Sequence, residues 1–562
     1  MREGESQIAY HRRRLSELKE LRQPWEAIWQ ELSDFIEPTR LRLHGQKEGA
    51  RSRKRIVDSS GTIALRTLAS GMHSGITSPA RPWFRLNVKD RELKDHDAVR
   101  LYLEQVESLM RELFQASNLY PSFHQSYSDL GLYGQSCALL VEDEENIIRM
   151  QSLLHGTFWL GRDYRGQANV LYRQFEWDVG RIVERFGLDN VSDRVRGAYD
   201  RGDYAKKFEI GHAIEPRTIR DERKPDKRNK AYLSNYWEVG GGHGRQEGQL
   251  LEESGFDECP IIAPAWELAG DDCYSASPAM VALADIKMLQ HEQKRKWEAL
   301  DKIVRPPMIA PATMLNSKSS LLPGGVTYVD DPTGKAYRPA IEINLRLNEL
   351  AMDIRETQQR IEKALFADLF LMLEHMEGVQ PRTTFEIAER KEEKLLALGP
   401  VLENIYGGQL DPVINRTFEI MGRRGLLPQA PDEVRGQEIK IEYVSMLAQA
   451  QKAVSTGAIE RVAGFIGGLA GGMPQALDKF NVDSAIDKYV NLLGAPASIL
   501  VGKEAVEEIR QARAEQMAQA NQAQAMAQAV PVVKQSAEAA GVMADVADSP
   551  SGADLLSQIG LG

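Results

Sequence analysis

Residues 68–86, LASGMHSGITSPARPWFRL, decide how this chain is read. They follow the apolar helix pattern Ile63, Leu65, Leu68 and set a Gly/Ser/Thr/Pro-rich stretch against an aromatic-basic plug, Arg81, Pro82, Trp83, Phe84, Arg85 and Leu86. Gly71 and Gly75 lack a Cβ, and Pro79 and Pro82 fix their own φ, so the stretch is expected to be a loop that approaches another backbone closely. Such a loop suits a subunit contact, with Gly71, Gly75, Arg81, Trp83 and Phe84 as the contact residues, better than a catalytic pocket.

Outward from that stretch, the pattern alternates between long amphipathic helices and one α/β block. Residues 4–37 carry Leu15, Leu18, Leu21, Trp25, Trp29, Leu32 and Phe35 at three- and four-residue spacing, a helix with Pro24 as a candidate kink. Residues 38–56 form a basic arm with Arg40, Arg42, Lys47, Arg51, Arg53, Lys54 and Arg55, either a solvated loop or a contact to nucleic acid or an acidic partner. Residues 97–116 and 120–134 read as two more helices. CALLVEDE, IIRMQSLL, GTFWLG and VLYRQFEW then bring the β-branched and aromatic composition of strands, and mixed α/β continues to Leu268. A charged linker at 217–230 and a Gly-rich turn at 240–244 interrupt it.

The middle of the chain changes architecture. Ser277-Pro278 is a helix start, with hydroxyl cap and proline in the first turn. That helix is expected to stop near Ile303, before Arg305-Pro306-Pro307. Residues 306–340 are rich in Pro, Gly and Ser, with a strand expected at 325–330. A second helix is expected over 344–374, with Leu347, Leu350, Ile354, Ile361, Leu365, Leu369 and Met372 on a near-heptad seam. At about 1.5 Å per residue the two rods would be roughly 40 and 46 Å long. A third helix opens with the capping box Thr383 and Glu386 and runs to about Arg424, kinked at Gly399-Pro400, Gly407-Gly408 and Pro412. A strand is expected at 439–444 and short helices over 446–496. The Ala/Gln-rich stretch 512–529 has high helix propensity without a broad apolar face, either a frayed helix or one that packs closely in an oligomer.

Charge and motifs narrow the function classes. The 562 residues hold 70 Lys+Arg against 81 Asp+Glu, a net −11, which argues against general duplex coating. Cys137, Cys259 and Cys273 have no C-x-x-C spacing and read as reduced thiols. The opening MREGESQIAYHRRRL has no apolar run of the kind a secretory leader needs, and no stretch suits a bilayer span, so the expectation is a protein made in the cytosol with no membrane partner. There is no G-x-x-x-x-G-K-[ST] loop, and GGGHGRQEG lacks dinucleotide-turn spacing. His291-Glu292 begins like a zinc-binding helix, but Arg295 stands where the second histidine belongs. Residues 71–75, Gly-Met-His-Ser-Gly, are one position out of register for a nucleophile elbow. The chain is therefore read as not an enzyme, with no catalytic residue, no metal ligand and no cofactor.

Both the 68–86 stretch and residues 382–428, RTTFEIAERKEEKLLALGPVLENIYGGQLDPVINRTFEIMGRRGLLP, resemble the portal (head-to-tail connector) proteins of short-tailed (podovirus) bacteriophages. The L-G-P-V kink at 398–401 and L-D-P-V-I-N-R at 410–416 carry the second likeness, and element order agrees over roughly residues 5–500. The resemblance implies an α+β, predominantly α-helical portal fold with wing, stem, clip and crown regions, assembled as a ring of twelve at one capsid vertex. Residues 1–57 would be the N-terminal helix and arm, 58–275 the wing, 276–305 and 341–374 the stem helices, and 306–340 the clip. Residues 375–383 would be the tunnel loop, 384–445 the kinked helix and returning wing strand, 446–500 the crown, and 501–562 a candidate helical barrel with its tail.

The implied function is a channel through which double-stranded DNA is packaged and ejected, the duplex passing through non-specifically. Its implied partners are the major capsid protein, the terminase motor and tail adaptor or nozzle proteins; the implied location is the virion, after assembly in the host cytoplasm. His375, Glu377, Gln380 and Arg382 are the candidates for the constriction, with an ordinary surface loop as the alternative. Lys294, Arg295 and Lys296 would face a neighbouring subunit or a tail protein. Twelve helices about 10 Å apart enclose a ring roughly 38 Å across between axes. Removing about 10 Å of helix width leaves a bore of roughly 28 Å, enough for a hydrated duplex. Twelve copies of −11 carry −132, which favours sliding over gripping. The rival classes are a nucleic-acid-processing enzyme, supported only by the basic arm, and a generic helical adaptor built on residues 277–424.

Overall fold

The computed structural model describes residues 5–43, 55–90, 93, 96–224, 226–240, 248–304, 308–309, 338–339, 347–374, 398–434, 439–444, 462–468, 480–493 and 506–520. The chain divides into one unit of residues 1–94 and 98–458, and a second of 95–97 and 459–562.

The first unit opens with α1, Gln7–Phe35, which Ser6 caps by accepting the Ala9 amide at 3.2 Å and which runs on through Pro24. Next comes α2, Ser60–Ile76, where the sequence suggested a loop from Leu68 onward. Gly71 and Gly75 lie inside this helix, because the small residues form the face on which another helix packs: a Cβ on Gly71 would stand 2.2 Å from Cγ of Phe370. The chain then forms strand β1, Phe84–Val88, and helices α3, Asp97–Ala116, and α4, Leu119–Tyr133. The bounds of α3 and α4 follow the amphipathic pattern, and Gly134 at φ 77 ends α4 in the left-handed region.

Strands β2, Ala138–Asp143, and β3, Ile147–Ser152, pair antiparallel. A five-stranded antiparallel meander follows in simple order: β4, Phe158–Arg162; β5, Ala168–Asp178; β6, Lys207–Pro216; β7, Tyr232–Glu238; and β8, Leu250–Phe256. Between β5 and β6 sit α5, Val179–Phe186, and α6, Asp193–Asp200, capped by Asp178 and Ser192. These two helices cover one face of the sheet, burying Ile182, Phe186 and Val195 against Phe208, Ile210 and Leu251. Leu15 and Leu18 of α1 cover the other, against Trp159, Tyr172, Ala213 and Trp237. Strand β9, Ile261–Ile262, joins β2 on its free side.

From there the fold becomes a helical hairpin. Helix α7, Pro278–Val304, starts where Ser277 accepts the Met280 amide at 3.1 Å. Short strands β10, Met308–Ile309, and β11, Arg338–Pro339, pair antiparallel beyond it. The helix expected over 344–374 is two: α8, Leu347–Ala364, and α9, Ala367–Glu374. Phe366 breaks it at φ 55, a conformation costing a bulky residue roughly 1–2 kcal/mol. The turn lets α9 lay Phe370 onto Gly71 of α2. The expected strand at 325–330 and the capping box at Thr383 lie outside the described residues.

The kinked third helix is described from Leu398 as α10, Gly399–Ile405, a π-helical turn, Tyr406–Leu410, and α11, Asp411–Arg423. Gly407-Gly408 thus bends by adding a residue to the turn, with Gly408 seated 3.0 Å (for an added Cβ) from Cα of Pro264. Strand β12, Ile439–Tyr443, returns to pair with β1, Phe84 opposite Tyr443 and Val88 opposite Ile439. In the second unit the described elements are helices at 462–468, Val482–Leu493 and 506–520. The fold class is α+β and predominantly helical, as expected from the sequence.

Candidate assembly surfaces

The 68–86 stretch builds core rather than surface. Trp83 and Phe84 are each 1% exposed, and the Trp83 indole donates to Tyr120 Oη at 3.3 Å. Thr77 pairs with Tyr127 Oη at 3.1 Å inside the same cluster. Four of the five predicted contact residues therefore serve the chain's own packing: Gly71 and Gly75 within α2, Trp83 and Phe84 in the core. Arg81 alone of the five is exposed. Aromatic weight at the end of a Pro-rich run signals a buried anchor as readily as a docking plug, and here burial within the chain wins.

The basic arm is split. Arg40 is drawn into the fold, donating to Asp129 at 2.8 Å and to the Gln125 carbonyl at 2.9 Å. Burial holds the Asp129 carboxyl above the usual carboxylate range despite that partner. Arg55 reaches Asp34 at 3.0 Å. Arg51, Arg53 and Lys54 lie outside the described residues, as do the constriction candidates His375, Glu377, Gln380 and Arg382.

The 382–428 stretch, where described, is a packing hub. Arg416 is buried and donates to the carbonyls of Leu140 and Glu258 and to the Glu258 carboxylate, at 2.8, 3.1 and 3.0 Å. Arg423 bridges Glu258 and Glu142. Tyr443 donates to Asp411 and stacks on Tyr406 with ring centroids 4.1 Å apart. The 410–416 segment thus bolts α11 to β2 and β12.

The hairpin carries the exposed chemistry. Its base is tied by Asp58, just ahead of α2. The Asp58 carboxylate accepts from Gln293 of α7 at 2.9 Å and Gln358 of α8 at 3.1 Å, while Gln290 accepts the Val57 and Asp58 amides. Sequence reasoning missed this tie, because glutamines within a helix give no periodic signal. Above it, Lys294 and Arg295 are exposed and Lys296 half-buried. Trp297 stands 58% exposed, with Leu300 and Val304 exposed near it. No group of three or more His, Cys, Asp or Glu among the described residues is placed to hold a metal ion. No described helix is long and apolar enough to cross a membrane.

The family model of the bacteriophage head to tail connecting protein matches residues 10–500. The chain belongs to that family. It is 44% identical over 521 residues to the "Portal protein" of Salmonella phage epsilon15, covering 92% of this chain and 93% of that one. It is 41% identical over 515 residues to the "Probable portal protein" of Bordetella phage BPP-1, covering 91% and 92%. Among solved structures, a chain of the neck of an empty GTA particle is 13% identical, over 78% of this chain and 90% of that one, with a TM-score of 0.34. The family expected from the two sequence stretches is thereby borne out for this head-tail connector, even though one of those stretches is folded otherwise than expected.

Proposed function

We propose that this connector is a portal subunit: twelve copies close a ring at one capsid vertex, and double-stranded DNA enters and leaves through its bore. The single observation carrying this is the 44% identity over 92% of the chain with the portal protein of phage epsilon15. The fold is compatible with it. The sheet-bearing body over 58–275 serves as the wing, with β12 returning to it through β1. The tied rods α7 and α8 serve as the stem, and residues 306–340 as the clip that meets terminase and later tail proteins. Residues 375–383 form the tunnel loop, with His375, Glu377, Gln380 and Arg382 at the narrowest point. Residues 446–500 form the crown and 501–530 a helical barrel. Lys294, Arg295 and Lys296 face a protein partner, and the bore is lined mainly by acidic and polar groups, so the duplex slides instead of being held.

Native mass spectrometry and negative-stain imaging of the purified chain test this proposal. The expected result is a closed ring of twelve copies. A chain that stays monomeric at high concentration would refute it.

A further inference from the structure

We propose that the break between α8 and α9 is conditional: the chain has a second state in which residues 347–374 form one continuous helix, and the seats of Leu369 and Phe370 in the core around α2 select the broken one.

The sequence across the break is that of an uninterrupted helix. Residues 361–374, IEKALFADLFLMLE, hold neither glycine nor proline and consist mostly of strong helix formers. The apolar seam Ile354, Ile361, Leu365 and Leu369 keeps its seven- and four-residue spacing through it. A permanent helix end of this kind places glycine or asparagine in the left-handed position, where the conformation costs little. Here Phe366 stands there at φ 55. The strain weighs against the broken form by a factor of about 5–30. The hydrogen-bond ladder is interrupted as well. The Phe366 amide bonds the Lys363 carbonyl, three residues back, and i to i−4 bonding resumes with the Phe370 amide on the Phe366 carbonyl. A continuous helix removes the strain and restores the ladder.

What holds the break lies on either side of it. Ile354, Ile361 and Leu365 belong to one buried cluster, with Leu283 and Ile286 of α7. Leu369 and Phe370 belong to another, with Leu68 and Met72 of α2. The turn at Phe366 lets one seam reach two cores. Phe366 itself is only half buried, its ring centroid 6.0 Å from that of Trp266. Burying a side chain the size of Leu369 or Phe370 favours the form that covers it by a factor of roughly 10–150. Both seats together outweigh the strain; with one removed, the two states come within about tenfold of each other. The direction in which the chain leaves Glu374 therefore depends on whether the Phe370 ring rests on Gly71. In the portal proposed above α8 is a stem rod, so the break would couple stem and body; that consequence rests on the portal reading, and the break itself does not.

The two states differ in length, which gives the test. Met352 and Leu371 are 69% and 40% exposed. In one continuous helix their Cα atoms stand about 28 Å apart, and in the broken form they are closer. A keto amino acid at both positions, coupled to a nitroxide so that the native thiols are untouched, reports the spacing by double electron–electron resonance. The labelled full-length chain is mixed into an excess of unlabelled chain, so that distances are read within one copy. The wild type is expected to show the shorter distance, with a narrow long component below about a tenth. Phe370→Ala should raise that component to at least about a quarter, with circular dichroism showing a folded chain. Adding Phe366→Gly should return the shorter distance, because glycine takes φ 55 without strain. Gly71→Ala crowds the same ring from the α2 side; it is expected to act as Phe370→Ala does, and serves if that variant does not fold. A folded variant of either kind that keeps the wild-type distances makes the break permanent and refutes the proposal. So does a long component that Phe366→Gly fails to remove, since strain at that residue would then not set the balance. Neither result depends on whether rings form, so the ring proposal stands or falls separately.

Discussion

Glu107 shows how one half-buried carboxyl couples a helix to a sheet. It lies on α3 and accepts the Leu86 amide of β1 at 2.7 Å, closing the side of β1 that β12 does not pair. Burial raises its carboxyl to about 7, against the opposing pull of that amide and of Arg85 and Arg111. A carboxyl whose folded value lies above its unfolded one favours the fold when protonated, so its ionisation costs stability as pH climbs from about 4.5 through 7. Glu107→Gln keeps an acceptor for the amide and removes the charge. It is expected to raise the urea midpoint at pH 8 and to make no difference near pH 4. His11 carries the opposite sign. It sits between Tyr172 Oη at 2.9 Å and Asn235 at 3.0 Å, and burial lowers its ring to about 4. Its contribution is present above about pH 6.5 and is lost as pH falls towards 4. His11→Gln should flatten that part of the pH profile, measured by the same denaturation series.

At the scale of elements, the α2–α9 crossing is where local propensity and packing disagree. Two glycines and several serines argue against a helix at about 1 kcal/mol per glycine, yet α2 runs through them. The reason is Phe370: with no Cβ at Gly71, the α9 aromatic ring rests on the α2 backbone. Gly71→Ala should therefore destabilise by roughly 1–3 kcal/mol despite its better helix propensity, read from chemical denaturation. Adding Phe370→Leu should recover part of the loss, because the two positions share one contact.

The same crossing explains what was legible in the sequence. Helix α3 and strands β2 to β5 were, through amphipathic spacing in the helix and runs of β-branched and aromatic residues in the strands, whereas β6, β7 and β8 were read only as part of a mixed α/β block. The break at Phe366 was not: the heptad seam continues through it, and only the tertiary seat of Phe370 shows why the chain turns. Of the exposed surface, Lys294 and Arg295 were recognisable as charges. Trp297 was not recognisable as uncovered, since an aromatic within a helical pattern reads equally well as core.

Across the whole molecule, burial is unevenly shared. Among the described residues, every member of the four buried apolar clusters lies within residues 1–458. Among the described residues of the second unit, Phe465, Val482, Ile486, Ile509 and Met517 are 69%, 48%, 47%, 51% and 62% exposed. The Arg510–Asp483 bidentate pair joins two of its helices, but both side chains are more than half exposed and such a pair adds little. A helix of the length of 506–520 is marginal in water on its own. The described helices of the second unit thus carry exposed apolar side chains, and in the proposed assembly neighbouring copies are the surfaces that would cover them. Two measurements follow. A chain ending at residue 458 should unfold within about 0.5 kcal/mol of the full-length monomer, since no described residue of the four clusters is removed. In hydrogen exchange, the amides of 482–493 and 506–520 should exchange fast in dilute monomer and slow by at least about tenfold in assembled rings, while those of the β4–β8 meander are equally protected in both. Equal protection of the two C-terminal helices in monomer and ring would mean that they are stabilised within one chain, and would break this link between exposed apolar side chains and assembly.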